Sequence, residues 1–441
     1  MKQSKHNIYY SPKEVRTILE RSIDTALDGL KGYCNDPVSD FTRCRKLPAR
    51  TLIECIMSFS NYSSIGELSH FFVGQGEMPS ASALSQRRQL LDPDIFKRIN
   101  NLFVSAFDDH TTINGYHILA QDGSDVNIPF MNDKTKTEKH DAKSFCQYHV
   151  NALYDCLNKV FYDWSIDAAS KKREVNALIS ILKDRNYPQN SIFTADRGYE
   201  SYNLMAHFIE NDTKFVIRVK DIHTKSGLMT NIKTEEGAFD MRINRTLTSL
   251  QTKEIKADKE KYIFVPSTSN FDFLDENRDF YDLSFRAVRF KISEDTYETV
   301  VTNLSEEEFK TEDFKELYHY RWNEETAFNK LKYTIGLVYF HARKRKLIQQ
   351  EINAAFLMYN VSEVIIRNID LKKNKKPELE YDYKPNFSSA VTNIRLYLRK
   401  KISMKELIHR IKKFLVGQRP ERSFERNIKG QSCKPLNYRT S

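Results

Sequence analysis

The chain has 441 residues, 40% hydrophobic and 12% aromatic, which places it among folded globular proteins of several domains and excludes a disordered one. Sixty-nine Lys and Arg against 59 Asp and Glu leave a net charge of +10, a balance that suits a polyanionic partner although many basic proteins bind no nucleic acid. The six cysteines show no CxxC or zinc-ligand spacing, "MKQSKHNIYY" lacks the apolar core of a signal peptide, and "INAAFLMYNVSEVIIRNI" is interrupted by Asn360, Ser362 and Glu363; reduced thiols, no membrane span and a cytoplasmic location are expected.

Residues 1–110 read as helices. "SPKEVRTILERSIDTALDGL" opens with a Ser-Pro start signal and carries apolar residues at helical spacing, and "LPARTLIECIMSFS" and "PDIFKRINNLFVSAF" repeat the pattern. Between them, "MPSASALSQRRQLL" predicts a short capped helix with Arg87 and Arg88 exposed, either to lie on DNA or as a solvated helix end. The pattern then changes. "YHILAQDGSDVNIPF" predicts a strand running into a turn at Asp122, Gly123 and Ser124, and "YHVNALYDCLNKVFYDWSID" a hairpin about "DCLNK". A helix over "SKKREVNALISILKD", a strand over "NSIFTADRGY" ending at Asp196, a helix over "ESYNLMAHFIEN" and a strand over "KFVIRVK" complete a mixed α/β pattern.

From 222 to 296 helical periodicity disappears, and "FDMRINRTLTSL", "KEIKADKEKYIFVPS" and "LSFRAVRFKI" predict the strands of a β-rich insertion. After the strand "ETVVTNL" comes "LYHYRWNEETAFNKLK". Read as one helical segment, ~100° per residue gathers Tyr318, Arg321, Glu325 and Lys332 within an arc of about 60° that borders the apolar face. A solvated charge stripe belongs opposite that face, so something is expected to face the border. A long helix over "KRKLIQQEINAAFLMYNVSEVIIRNI", a linker "LKKNKKPELEYDYKPN", helical "AVTNIRLYLRKKISMKELIHRIKKFL" and a basic tail end the chain.

Asp122 and Asp196 sit at predicted strand ends and Glu325 on a helix, and such positions converge on clefts in open α/β sheets. Three carboxylates without His or Cys suit a hard divalent ion. Equally, an Asp in "DGS" often only shapes a turn. Asp125 is a rival ligand or a plain loop residue. No P-loop glycine pattern and no strand–elbow–helix context for a serine nucleophile occur.

Tyr318, Arg321, Glu325 and Lys332 together resemble the Y-x2-R-x3-E-x6-K signature of bacterial insertion-sequence transposases, in the insertion-sequence-4 family of DDE enzymes, with Trp322 directly after the arginine. "LAQDGSDVNIP" and "FTADRGY" resemble that family's two aspartate segments; "FTRCRKLPARTL", "SASALSQRR" and "RPERSFERNIKG" are similar to its terminal regions. The resemblance implies an α/β RNase-H-like catalytic domain with a β-rich insertion, flanked by α-helical N-terminal and C-terminal regions. The expected parts are a helical DNA-binding region at 1–110, the catalytic domain at 111–221 and 297–370, the insertion at 222–296, and a linker, helical region and tail at 371–441. It implies that Asp122, Asp196 and Glu325 hold two catalytic ions, Mg²⁺ or substituting Mn²⁺. Tyr318, Arg321 and Lys332 are implied to grip phosphates, with Arg197 touching backbone phosphate; Trp322 either stacks on an unpaired base or packs. The implied partners are double-stranded DNA, at terminal inverted repeats and target, and a second copy in a homodimer. The implied reaction is cut-and-paste transposition through hairpin ends. A non-catalytic DNA-binding regulator, a general RNase-H-like nuclease and a metal-free structural protein are the rival readings.

Overall fold

The computed structural model describes residues 1–5, 9–43, 45–74, 76–139, 142–169, 174–222, 224, 226–294, 296–370 and 382–418. The basic tail, most of the expected linker, Cys44 and Cys433 lie outside them. Strand β1 (Gln3–Lys5) precedes α1 (Pro12–Asp28), whose start is fixed by a capping box: Ser11 Oγ accepts the Glu14 N–H, and Glu14 accepts the Ser11 N–H at 2.7 Å. Its Val15, Leu19, Ile23 and Ala26 face inward at helical spacing. Helices α2 (Ala49–Met57), α3 (Ser64–Phe72), α4 (Ala81–Leu90) and α5 (Asp94–Val104) follow, and β2 (Thr111–Ile113) pairs with β1.

Strands β3 (His117–Ile128), β4 (Lys136–Lys139), β5 (Ala142–Asp155) and β6 (Val160–Ala168) come next in the chain. Crossover helix α6 (Glu174–Asp184) leads to β7 (Ser191–Ala195), and α7 (Tyr202–Glu210) to β8 (Lys214–Arg218). β9 (Phe239–Thr248), α8 (Lys253–Ala257), β10 (Tyr262–Phe264), β11 (Phe280–Ser293) and β12 (Thr296–Thr302) follow. One ten-stranded sheet results, in the order β10-β9-β11-β12-β8-β7-β3-β5-β4, with β6 also on β5. β3, β7 and β8 run parallel, whereas β5 and β6 form an antiparallel meander beside β3. The segment expected as a β-rich insertion extends this same sheet, because β9 pairs with β11, β11 with β12, and β12 antiparallel with β8. Part of it is not strand: Thr252 caps α8 within "KEIKADKEK", and only Tyr262–Phe264 of that stretch joins the ladder.

Helices α9 (Asp313–His319), α10 (Trp322–Lys330), α11 (Arg345–Arg367), α12 (Phe387–Leu398) and α13 (Met404–Lys413) complete the chain, with β13 (Asp382–Pro385) on β14 (Leu415–Gln418). α11 is buried on nearly every side, and its polar residues are matched one by one. Asn353 accepts Trp164 Nε1–H at 2.7 Å, Asn360 bonds Asn100 and the Phe161 carbonyl, and Glu351 accepts from Arg88. One contiguous core therefore runs from α1 through the sheet to α13. Among the described residues no helix is long and apolar enough to cross a membrane.

Candidate active site

β3 and β7 are parallel neighbours with Gln121 opposite Ala195, so the next residues, Asp122 and Asp196, stand side by side where β7 ends. The turn expected at Asp122 does not form. β3 continues through Gly123 and Ser124 to Ile128, each residue in register with β5. Gly123 is needed for close approach rather than for bending: a Cβ there would lie 2.3 Å from His149 Nε2 and 3.0 Å from Glu174 Oε1. His149 is buried, held at 2.7 Å by Asp125 and at 3.0 Å by Glu174, and has little room to yield. Gly123→Ala is therefore expected to lower stability by about 1–3 kcal/mol, read as a shifted urea midpoint with an unchanged slope.

Asp122 accepts the Gly123 N–H at 2.8 Å, and Asp196 accepts the Gly198 N–H at 2.7 Å across the 3₁₀ turn Arg197–Tyr199. Glu325 lies in the first turn of α10. Arg321 joins the carboxylates, its Nη1 3.7 Å from Asp122 and its Nη2 3.3 Å from Glu325. Burial raises the Asp122 carboxyl to about 6; the Gly123 N–H and Arg321 oppose the rise, while Asp196 and Glu325 add to it. Burial opposes the charge on Arg321, but Tyr318, Asp122, Glu325 and Glu324 outweigh it and hold the guanidinium above its ordinary range.

The signature segment is not one straight helix. α9 ends at His319, the Arg321 N–H reaches back three residues to the Tyr318 carbonyl, and α10 gives way to a π turn over Leu331–Ile335. The 3₁₀ step overwinds and the π turn underwinds, so a single helical arc does not describe the four residues. Arg321 is 4% exposed and Tyr318 2%, while Lys332 is half-buried in the π turn. Trp322 is 41% exposed, with the Arg321 guanidinium 5.2 Å from its ring centre. Arg197 is exposed beside Asp196.

Arg87 and Arg88 contradict the expectation of an exposed basic helix. Both are buried: Arg87 Nε–H donates to the Leu47 carbonyl, and Arg88 donates to Glu351 and the Leu347 carbonyl at 2.7 Å each. Their partners are internal, so this pair presents no surface to DNA.

Sequence reading missed three groups. Glu324 is fully buried beside Asp122, its carboxyl oxygens without hydrogen-bond partners among the described residues, and burial followed by Asp122 raises it far above the carboxylate range. Tyr199 is buried against Glu174, Asp122, Glu324 and Asp196, which with burial raise its hydroxyl. Glu174 reaches in from the start of α6, close to Gly123 and Gly198. The only sequence signal was a carboxylate at the N-terminus of a crossover helix.

The all-oxygen donor set of Asp122, Asp196 and Glu325 fits a hard divalent cation by its chemistry. In the present arrangement Arg321 reaches both Asp122 and Glu325, and no three His, Cys, Asp or Glu among the described residues stand close enough to enclose an ion.

Residues 113–361 match the family model described as "Transposase DDE domain". No curated protein matches. Among solved structures, the cryo-EM structure of a piggyBac transposase synaptic complex with hairpin DNA is similar at 12% identity and a TM-score of 0.47, covering 96% of this chain and 90% of that one. A likeness at that level carries no statement about activity. The family match takes in more than half of the chain, including Asp122, Asp196 and Glu325, and the protein belongs to the transposase DDE domain family.

Proposed function

We propose that this chain is a metal-dependent DNA transposase of the insertion-sequence-4 group, with an RNase-H-like catalytic domain. The observation that carries the reading is the pairing of Asp122 and Glu325 with one buried arginine, with Asp196 beside Asp122 at the end of β7. In this reading the three carboxylates hold two divalent ions, Mg²⁺ or Mn²⁺, which when bound would activate the attacking oxygen and stabilise the leaving one. Arg321 acts as an internal counter-charge that limits repulsion between Asp122 and Glu325 and aims Glu325, with Tyr318 packed beneath it. Lys332 and Arg197 meet backbone phosphates. Trp322 stacks on an unpaired base.

The reaction is a series of phosphodiester exchanges. Water attacks one strand at the element's end and frees a 3′-hydroxyl, which attacks the opposite strand and leaves a hairpin. A second water opens the hairpin, and the 3′-end attacks target DNA. Two copies assemble on paired ends, each acting on the end its partner holds. Purified protein, Mg²⁺ and an end-labelled duplex carrying the gene's native flanks test this on a denaturing gel. With the label on the element side, a product twice the length of the nicked element strand is expected. Random nicking of any duplex would favour a general nuclease, and end-specific binding without cleavage a regulator.

A further inference from the structure

A second feature lies away from the carboxylates, where α1, α2, α3, α11 and α12 meet. A cavity of about 200 Å³ opens there between the N-terminal and C-terminal helices. Leu19, Ile23, Met57, Phe71, Met358 and Leu398 form its apolar wall. Its charged lining is unbalanced, with Arg16, Arg50, Arg395, Arg399 and Lys400 against Glu20 and Glu54.

The two carboxylates are already engaged. Glu54 pairs with Arg50 at 3.0 Å, and Glu20 lies 3.8 Å from Arg16 and 3.9 Å from Lys400. Arg395 and Arg399 have no carboxylate within ion-pair distance among the described residues. Arg395 is 7% exposed; its Nη2 donates to the Ile335 carbonyl at 3.0 Å, and its Nε–H has no acceptor among the described residues. Arg399 gives Nη1–H to the His70 carbonyl and Nε–H to the Arg395 carbonyl. Backbone carbonyls satisfy donors but do not neutralise charge, and burying an unneutralised cation is costly. Burial and the neighbouring Arg399 draw Arg395 down to about 10 against the pull of Glu67.

We propose that this cavity binds a small organic anion, its phosphate or carboxylate head on Arg395 and Arg399 and a ring-sized apolar body against Leu19, Ile23 and Met57. Size supports the body, since an apolar cavity of about 150 Å³ accepts a benzene ring. Guanidiniums supply the fork that such heads recognise. Because the lining comes from both ends of the chain, occupancy fastens the N-terminal helices to α12.

Isothermal titration calorimetry on the full chain tests this with phenyl phosphate, benzoate, inorganic phosphate and phenol as probes. Phenyl phosphate or benzoate is expected to bind at least tenfold more tightly than inorganic phosphate or phenol, and which of the two wins identifies the head. Arg399→Gln is expected to weaken that binding at least tenfold. Leu398→Trp, which fills the cavity and keeps every cation, is expected to abolish it while circular dichroism still shows a folded chain. Equal affinity for inorganic phosphate and phenyl phosphate would overturn the proposal, as would binding untouched by Leu398→Trp or no binding of any probe.

Discussion

A Glu325→Gln protein is expected to bind its flanking DNA as wild type does and to cleave it about 10³-fold more slowly, roughly 4 kcal/mol of barrier. The substitution keeps shape and volume and removes one negative charge. Its structural cost is small, because Glu325 is half-buried and the Arg321 Nη2–H at 3.3 Å can still donate to the amide oxygen. Its chemical cost is large, because an amide is a poor ligand for a hard cation and leaves two of the three proposed carboxylates in place. Single-turnover cleavage beside a fluorescence-anisotropy titration separates these effects. Cleavage within tenfold of wild type would remove Glu325 from the catalytic role assigned to it.

The second large effect is on stability and comes from His341. This ring is buried between α3 and α11, with Nδ1 3.1 Å from Glu351 and Nε2 3.4 Å from Glu67 and 2.9 Å from the Tyr62 carbonyl. Burial alone would favour neutral imidazole, but Glu351 and then Glu67 outweigh it and raise the ring to about 9. With Arg88 on Glu351 at 2.7 Å, two cations balance two carboxylates and tie α3 and α4 to α11. The folded chain holds this proton more tightly than the unfolded chain, whose imidazole keeps the ordinary value of about 6.5. The stabilisation is thus complete below 6.5 and lost as pH rises through 9, and corresponds to about 3 kcal/mol. Glu67 and Glu351 are held below their ordinary range, so their contribution is present above about 4.5 and lost on further acidification. Urea midpoints at pH 6 and 9.5 should differ accordingly, and His341→Gln should be weaker at pH 6 and flatter between the two. Parallel pH profiles for the two proteins would contradict a charged His341.

Periodicity and punctuation make much of this fold legible in the sequence. Strand β7 with Asp196 at its end, the crossover helices and the apolar stripe of α1 all follow from local pattern. Failures arose where a partner is distant in sequence. "RR" in α4 reads as a surface pair because nothing nearby says otherwise; Glu351, which buries Arg88, lies on α11. "DGS" reads as a turn by composition, and only the β5 ladder and the closeness of His149 show why a glycine belongs inside a strand. Glu324 was passed over because neighbouring acidic residues on a helix look alike until packing buries one and leaves the other half-exposed. Helical spacing assumed a constant angle per residue, which the 3₁₀ step and π turn do not keep.

The pairing of β12 with β8 bears on how the chain can be cut and how it folds. Arg218 and Val300 are ladder partners, and everything between them must be made before that edge is closed. Until then β8 offers an unpaired row of N–H and C=O groups to any other strand it meets. A shortened chain that jumps from residue 221 straight to 297 would keep those two strands but discard β9 and β11, moving the open edge to β12. Residues 222–296 are therefore a poor place for a deletion, and the nascent chain is most exposed to aggregation before β12 has emerged.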